Sequence, residues 1–440
     1  MNASDALLSA SPYTGYSYGY PHKTAYRPLE RPVPLREAWS SDKDGALFLY
    51  IHIPFCEMRC GFCNLFTQAR PKEDLANAYM AALQRQATRV REALGDVKFA
   101  RFAVGGGTPT DLSMENLEAV FHIAERVMGA SPRAIPVSVE TSPETSAAEK
   151  LDLLRDRGVD RISIGVQSFI DAETAAIARP QRRAVVDEAL GRIRAAGFPT
   201  LNIDLMYGLP GQTEDSFCIS LREAIAWGAE EIYLYPLYVR PLTRMGRSDK
   251  TWDDARLSLY RRARELLFAE GYSQVSMRMF RSAKAPHKDG PIYCCQEDGM
   301  VGIGCGARSY TRALHYSSEY AVGARGVREI LEAYVRRSDE AFAAADYGFE
   351  LDLSERRRRY FILSILSDEG LDFQAYRRSF GSDAAADFGE ELNVLKDLGF
   401  AREEGGAARL TEAGMERSDA IGPWLYSPAV RAKMEGFELR

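Results

Sequence analysis

From residue 46 to residue 239 the chain repeats one unit, a short run of β-branched and aromatic residues followed by a stretch with apolar residues at helical spacing. The strand-like runs are LFLYIHIPF (47 to 55), VKFARFAVGG (97 to 106), AIPVSVET (134 to 141), VDRISIGVQ (159 to 167), TLNIDLMYGLP (200 to 210) and EEIYLYPLYV (230 to 239). Between them DLANAYMAALQRQATRVREAL, SMENLEAVFHIAERVM, SAAEKLDLLRDRG, AVVDEALGRIRAAG and TEDSFCISLREAIAWG carry the helical period. Gly158, Gly197 and Gly228 stand just past three of these runs, where a left-handed cap favours a residue without a side chain. Such alternation predicts an α/β fold with parallel pairing and right-handed crossovers. Six units predict a partial, open (β/α)6 version of the eightfold barrel; a doubly wound sheet is the rival.

The flanks differ. Residues 1 to 45 are rich in Pro, Tyr, Ser and Gly, keep no period, and are expected to form an extended arm. The arm carries Tyr13, Tyr16, Tyr18, Tyr20 and Tyr26 around Pro21-His22-Lys23, with Arg27 and Arg31 close by. Either it crosses the barrel mouth and helps bind an acidic or aromatic substrate, or it packs on the outside. Residues 46 to 325 supply the core and its extension, with a strand expected at SQVSMRMF (273 to 280) and a Gly-rich turn at MVGIGCGARSY (300 to 310). From 326 to 440 the pattern is mostly helical and ends in the alternating FAREEGGAARLTEAG, which reads as a small winged-helix-like domain with a two-stranded wing. Arg356 to Arg359 form a dense basic run beside acidic neighbours and read as a solvated helix face.

At 440 residues and 46% hydrophobic, each unit has enough apolar material for its own core, which excludes a disordered chain. A net charge of −6 and a pI near 5.7 offer no global field for nucleic acid or an anionic membrane. There is no apolar run of roughly 18 residues, and MNASDALLSASPYTG lacks the regions of a secretory signal, so a cytoplasmic location is expected.

The seven cysteines do not suit a secreted disulfide framework, because three of them crowd into Cys56-Glu-Met-Arg-Cys60-Gly-Phe-Cys63, directly after the first strand. A short loop can fold thiolates at C-x3-C-x2-C around one iron-sulfur cluster. A cubane held by three cysteines leaves one iron open to a small molecule. A zinc site with His52 or a distant Cys as fourth ligand has compatible spacing. Against it, His52 is flanked by Ile51 and Ile53 and is expected to pack or hydrogen-bond below the loop. Cys218, Cys294, Cys295 and Cys305 are expected to be buried small residues rather than a second cluster.

The loop resembles the signature of the radical S-adenosylmethionine (SAM) superfamily. The surrounding YIHIPFCxxxCxFC looks like its oxygen-independent coproporphyrinogen III oxidase branch, which also holds heme chaperones and radical methyltransferases. The similarity continues through GGGTPT (105 to 110), SVETSP (138 to 143), SIGVQSF (163 to 169), NIDLMYGLPGQ (202 to 212) and LTEAG (410 to 414). It implies a [4Fe-4S] cluster on Cys56, Cys60 and Cys63, with the SAM amino group at Gly106, Gly107 and Thr108. It further implies Glu140, Gln167, Arg179 and Asp204 as holders of the SAM ribose and carboxylate, with Tyr50 and the backbone at Phe62 as added contacts. The implied chemistry is reductive cleavage of SAM to a 5′-deoxyadenosyl radical that abstracts hydrogen from a small-molecule substrate. That chemistry needs an electron donor such as flavodoxin or ferredoxin. Two-SAM methyl transfer is one alternative within the group. Heme handling is another, with His22, His52, His122, His287 and His315 as the available axial ligands. The coproporphyrinogen oxidases carry another cysteine almost immediately after the third; here Asn64-Leu65-Phe66-Thr67 stand instead, which bears against porphyrinogen decarboxylation.

Overall fold

The computed structural model describes residues 7–8, 11–17, 19–42, 45–247, 254–286 and 293–439; Tyr18 and His287 lie outside the described residues. Among the described residues thirteen strands form one mixed sheet: β1 (Arg27–Pro34), β2 (Leu47–Ile53), β3 (Phe99–Gly106), β4 (Val137–Thr141), β5 (Arg161–Gln167), β6 (Thr200–Tyr207), β7 (Glu231–Pro236), β8 (Tyr272–Gln274), β9 (Met279–Ser282), β10 (Met300–Ile303), β11 (Arg308–Tyr310), β12 (Leu314–Ser317) and β13 (Ala344–Glu350). The six predicted runs are β2 to β7, and each pairs in parallel with the next in chain order. A doubly wound sheet reverses its order at a switch point. The six strands have no such point, so that rival is excluded.

The register explains how a parallel sheet can carry a polar face. Ile51, Val104, Val139, Ile162 and Leu201 lie side by side across five strands and are fully buried. The helices cover this row, and each such side chain contributes about 1.5–3 kcal/mol by leaving water. One residue further along the chain, Glu140, Ser163, Asn202 and Glu231 are neighbours, and a second polar row joins Gly165, Asp204 and Tyr233. Because the side-chain period of a strand is two, these rows face away from the helices.

Beyond β2 the sheet continues through β10, which is parallel to it, and then antiparallel through β11, β12, β13 and β1. At the other edge β9 and β8 add antiparallel strands, and the two edge strands β1 and β8 do not pair, so the sheet stays open. The run at 273 to 280 is therefore a tight hairpin rather than one strand. Ser276 Oγ accepts the N–H groups of Arg278 and Met279 and turns the chain there.

The C-terminal helices Leu353–Ile365, Phe373–Phe380 and Ala384–Asp397 accompany a small sheet of Leu371–Asp372, Ala407–Leu410 and Ala401–Glu404, so the wing has a third short strand. Arg356 to Arg359 are half-buried instead of solvated. Arg357 pairs with Asp387, Arg358 with Glu391, and Arg359 grips the carbonyls of Cys295 and Gln296. The arm is not an outer wrapping. Tyr13 packs edge-on against Tyr207 at 6.0 Å, Gly15 N–H donates to Asp419 O at 2.9 Å, and Ser17 Oγ meets Tyr426 Oη at 2.8 Å. It is thus wedged between the ends of the central strands and the C-terminal helices. No helix among the described residues is long and apolar enough to cross a membrane.

Candidate functional site

The cysteine loop leaves the C-terminal end of β2 and is pinned from three sides. Gly107 N–H donates to Ile53 O at 2.7 Å and Thr108 N–H to Phe55 O at 2.6 Å, so the loop after β3 holds the start of the cysteine segment. Residues Phe55–Cys56 pair in parallel with Gln68–Ala69, and Gly61 is bracketed by bonds to Ile177 O (2.9 Å) and from Met245 N–H (3.0 Å). A side chain at Gly107 would strike the Phe55 carbonyl and lie 2.9 Å from Cys56 Sγ. Gly106 adopts φ +116°, and a Cβ there would come within 2.5 Å of the His52 ring. These two glycines therefore serve close packing and a left-handed backbone.

His52 settles beneath the loop, as its apolar neighbours suggest. Its Nε2 lies 3.3 Å from Phe66 O, its Nδ1 3.2 Å from Tyr50 Oη, and burial lowers its pKa to about 4. It is not directed at the thiols as a zinc ligand would be. Cys56, Cys60 and Cys63 are free and half-buried. Desolvation pushes the Cys56 and Cys63 thiols up, which disfavours bare thiolates and favours thiolates bound to a cation. Arg179 Nη1 donates to Cys60 Sγ at 3.1 Å, and the Thr108 hydroxyl bonds Cys56. Among the described residues no three His, Cys, Asp or Glu converge on one metal ion. The three thiols meet different neighbours, Thr108, Arg179 and Thr67, as suits a cubane whose irons each take one thiolate, while His52 bonds elsewhere.

The other predicted residues gather around this loop to different degrees. Glu140 Oε2 accepts Gly106 N–H at 3.0 Å, which ties the end of β4 to the glycine turn. Desolvation raises the Glu140 carboxyl, while the Gly106 N–H and Arg161 oppose the shift. Asp204 is raised to about 7, chiefly by burial and further by Glu140, while Asn202 Nδ2 donating at 2.7 Å and Arg161 oppose the shift. Gln167 sits at a register shift in β5 with φ +70°, and Arg179 Nη2 donates to Gly165 O at 2.7 Å. Arg179 Nε is buried without a protein partner. Phe62 packs against the buried cluster of Ile177, Met206, Leu209, Leu237 and Met245, an apolar wall beside the loop. Tyr50 is placed through His52.

Some residues of the polar rows escape motif reading. Arg161 donates to Glu231 at 2.6 Å and to Ser138 at 2.8 Å, and its guanidinium lies 5.6 Å from the Tyr233 ring. Strict alternation in RISIGVQ and EIYLYP was the available signal. Cys218 and Cys305 are buried as expected, but Cys294 is half-buried and Cys295 exposed, because they occupy the turn gripped by Arg359.

Comparison with known proteins defines the class. The radical SAM superfamily model matches residues 50–224 and the HemN C-terminal domain model residues 351–416. The heme chaperone HemW of Haemophilus influenzae is 30% identical over 267 residues, covering 59% of this chain and 69% of that protein. The oxygen-independent coproporphyrinogen III oxidase of Paracoccus denitrificans is 29% identical over 357 residues, covering 77% of each. The solved coproporphyrinogen III oxidase (HemN) of Escherichia coli shares the fold, with a TM-score of 0.78 over 93% of this chain and 96% of that one at 22% identity. The chain belongs to the radical SAM superfamily, in its oxygen-independent coproporphyrinogen III oxidase-like group. That membership implies a [4Fe-4S] cluster and SAM.

Proposed function

We propose that the protein is a radical SAM oxidoreductase acting on a small anionic substrate with aromatic character. The observation that carries this reading is the gathering of three thiols, the Arg179 guanidinium and two raised carboxyls, Glu140 and Asp204, on the parallel strands β2 to β6 and the loops that leave them. Cys56, Cys60 and Cys63 would hold the cluster. Gly106, Gly107 and Thr108 would meet the SAM amino group, with Glu140, Gln167, Arg179, Asp204, Tyr50 and Phe62 around the rest of the cofactor. When bound, cluster and SAM together supply a 5′-deoxyadenosyl radical. The chain's own part is to orient SAM, to keep water out with the wall around Phe62, and to present the substrate over the polar rows. Tyr233, Tyr235, Arg161 and the arm's Lys23, whose Nζ lies 3.6 Å from the Tyr320 ring centre, supply the aromatic and cationic surface for that substrate. A flavodoxin or ferredoxin would donate the electron.

Anaerobically reconstituted protein given SAM and dithionite should release 5′-deoxyadenosine. Its absence from cluster-loaded protein would sink the reading. S-adenosylhomocysteine beside it would instead mark the two-SAM methyltransferase. The likeness to HemW favours a heme chaperone as second reading. His52 and His315 are buried and His122 is exposed on its helix, so a heme titration that shifts the Soret band is the outcome that would support it.

Asp204 adds a pH signature. If its carboxylate accepts the ribose hydroxyls, the binding form is the ionised one, which gains population as pH rises through about 7. SAM affinity should therefore increase by up to about tenfold from pH 6 to pH 8, and Asp204→Asn should flatten the profile. Calorimetric titration across that range checks it; a pH-independent wild-type Kd contradicts the assignment.

A further inference from the structure

We propose that Cys294 and Cys295 form a redox-modification site: a low-molecular-weight disulfide such as oxidised glutathione converts the adjacent thiols to a ring disulfide, which loosens the grip of the C-terminal domain on the turn before β10. The pair stands outside the site described above. β10 runs parallel to β2, so the turn that enters β10 lies at the opposite edge of the sheet from the cysteine loop that leaves β2. What Cys56, Cys60 and Cys63 hold therefore has no bearing on this pair.

Neighbouring cysteines can pair only if their side chains turn to the same side, which an extended strand forbids. Here the chain turns, and both sulfurs donate to one oxygen, Gln296 Oε1, from Cys294 Sγ at 3.1 Å and from Cys295 Sγ at 3.3 Å. Cys295 is exposed and Cys294 half-buried, so one thiol is open to a reagent and the other stands beside it as the resolving partner. Desolvation raises both thiols, and the Arg359 and Arg101 guanidiniums oppose the shift at Cys295. Reaction is therefore slow at neutral pH, and Cys295 attacks first. Its thiolate takes one sulfur of the reagent and expels one glutathione. Cys294 then attacks the Cys295 sulfur and expels the second. Two S–H bonds are exchanged for one S–S bond, and the two protons and two electrons leave with the two glutathione thiols.

The turn is a junction. Asp298 N–H donates to Cys294 O at 2.7 Å, Asp298 Oδ2 accepts Cys294 N–H at 2.6 Å, and Phe48 N–H of β2 donates to Gly299 O at 3.0 Å. From the C-terminal domain Arg359 donates to Cys295 O at 2.6 Å and to Gln296 O, and Ser379 Oγ donates to Glu297. Consecutive Cα atoms stand about 3.8 Å apart, closer than the roughly 4.4–6.8 Å that a relaxed disulfide spans. Closing the ring thus twists the peptide between the cysteines, breaks the Asp298 bond to Cys294 O and shifts the carbonyl that Arg359 holds.

The test incubates the reconstituted full chain with oxidised glutathione under anaerobic conditions, quenches with acid, and cleaves after Lys, Arg and Glu, which separates Cys294 and Cys295 from Cys305. The wild-type pair should lose two hydrogens, about tenfold faster for each unit of added pH near neutrality. Cys294→Ser should stop at one glutathione on Cys295, and Cys295→Ser should react at least about tenfold more slowly. Amide exchange in helix Leu353–Ile365 should rise at least about threefold in the oxidised wild type, as in Arg359→Ala, and return to its starting rate with dithiothreitol. A pair that stays reduced, or that keeps glutathione on Cys295 without closing, would overturn the site. Exchange unchanged after ring closure would overturn its hold on the C-terminal domain.

Discussion

Cys56→Ala, Cys60→Ala and Cys63→Ala should each drop iron from about four per chain to below about one after reconstitution, and lower SAM cleavage by on the order of 1000-fold or more. The effect is large because each thiol is expected to hold a different iron, so none of the three can substitute for another. The fold should survive. The cysteines sit in a loop whose backbone bonds run through Gly61, Cys63, Gly107 and Thr108 rather than through sulfur, so the unfolding free energy of the cluster-free protein should change by no more than about 1 kcal/mol. Cys295→Ala, in the turn held by Arg359, should keep full iron. Iron and sulfide assays with nucleoside mass spectrometry check this. Full iron content in any one of the loop variants would refute the three-thiol assignment.

The core of the fold was legible because its signal is local. Each of β2 to β7 shows the period of a strand and a helical run separates each from the next, so parallel pairing with right-handed crossovers followed, while the strictly sequential order came from the structure. The antiparallel additions were not legible. Strands β8 to β13 are three to seven residues long, and the pairings that attach them to the rest of the sheet are distant in the chain, as when β1 pairs with β13 or β2 with β10. A four-residue strand such as β12 shows no period of its own. The hairpin at 272 to 282 hid for another reason: Ser276 makes its turn by accepting two backbone N–H groups, without Gly or Pro to mark it. Within the candidate site, motifs pointed to the residues they carry, while Arg161, Tyr233 and Asn202 carry no motif and come to the polar rows only through sheet register. The basic run at 356 to 359 misled because charge density says nothing about partners. Asp387 and Glu391 lie about thirty residues away and come to it only through packing of the C-terminal helices.

Asp419→Ala should destabilise the protein by about 3–5 kcal/mol, the cost of leaving a buried charge without its partner. Asp419 and Arg278 are both almost fully buried, and the guanidinium donates to both carboxylate oxygens, with Nη1 to Oδ1 at 2.9 Å. Tyr238 Oη donates to the same carboxylate, Gly15 N–H donates to the Asp419 carbonyl, and the Tyr16 ring lies 3.6 Å from Arg278 Cζ. The Asp419 carboxylate thus joins the start of β9 and the segment after β7 to helix Ser418–Trp424, and the arm reaches the same point through the Asp419 backbone and the Arg278 guanidinium. Removing it strands the guanidinium between Tyr16 and Tyr235, where neither ring can replace a carboxylate. Arg278→Met in the Asp419→Ala background should recover a large part of the loss, since deleting both charges is cheaper than deleting one. Urea unfolding of the two single variants and the double variant gives the coupling energy. Strictly additive losses would show that the pair is not a coupled clamp. The arm should respond as well, because Tyr16 packs on the Arg278 guanidinium that Asp419 orients, even though the Gly15 bond to the Asp419 backbone carbonyl survives the substitution. Limited proteolysis of Asp419→Ala should cut within residues 11 to 20 well before global unfolding, whereas an arm as protected as in wild type would place its anchor elsewhere, at Tyr13 against Tyr207 or Tyr20 against Tyr426.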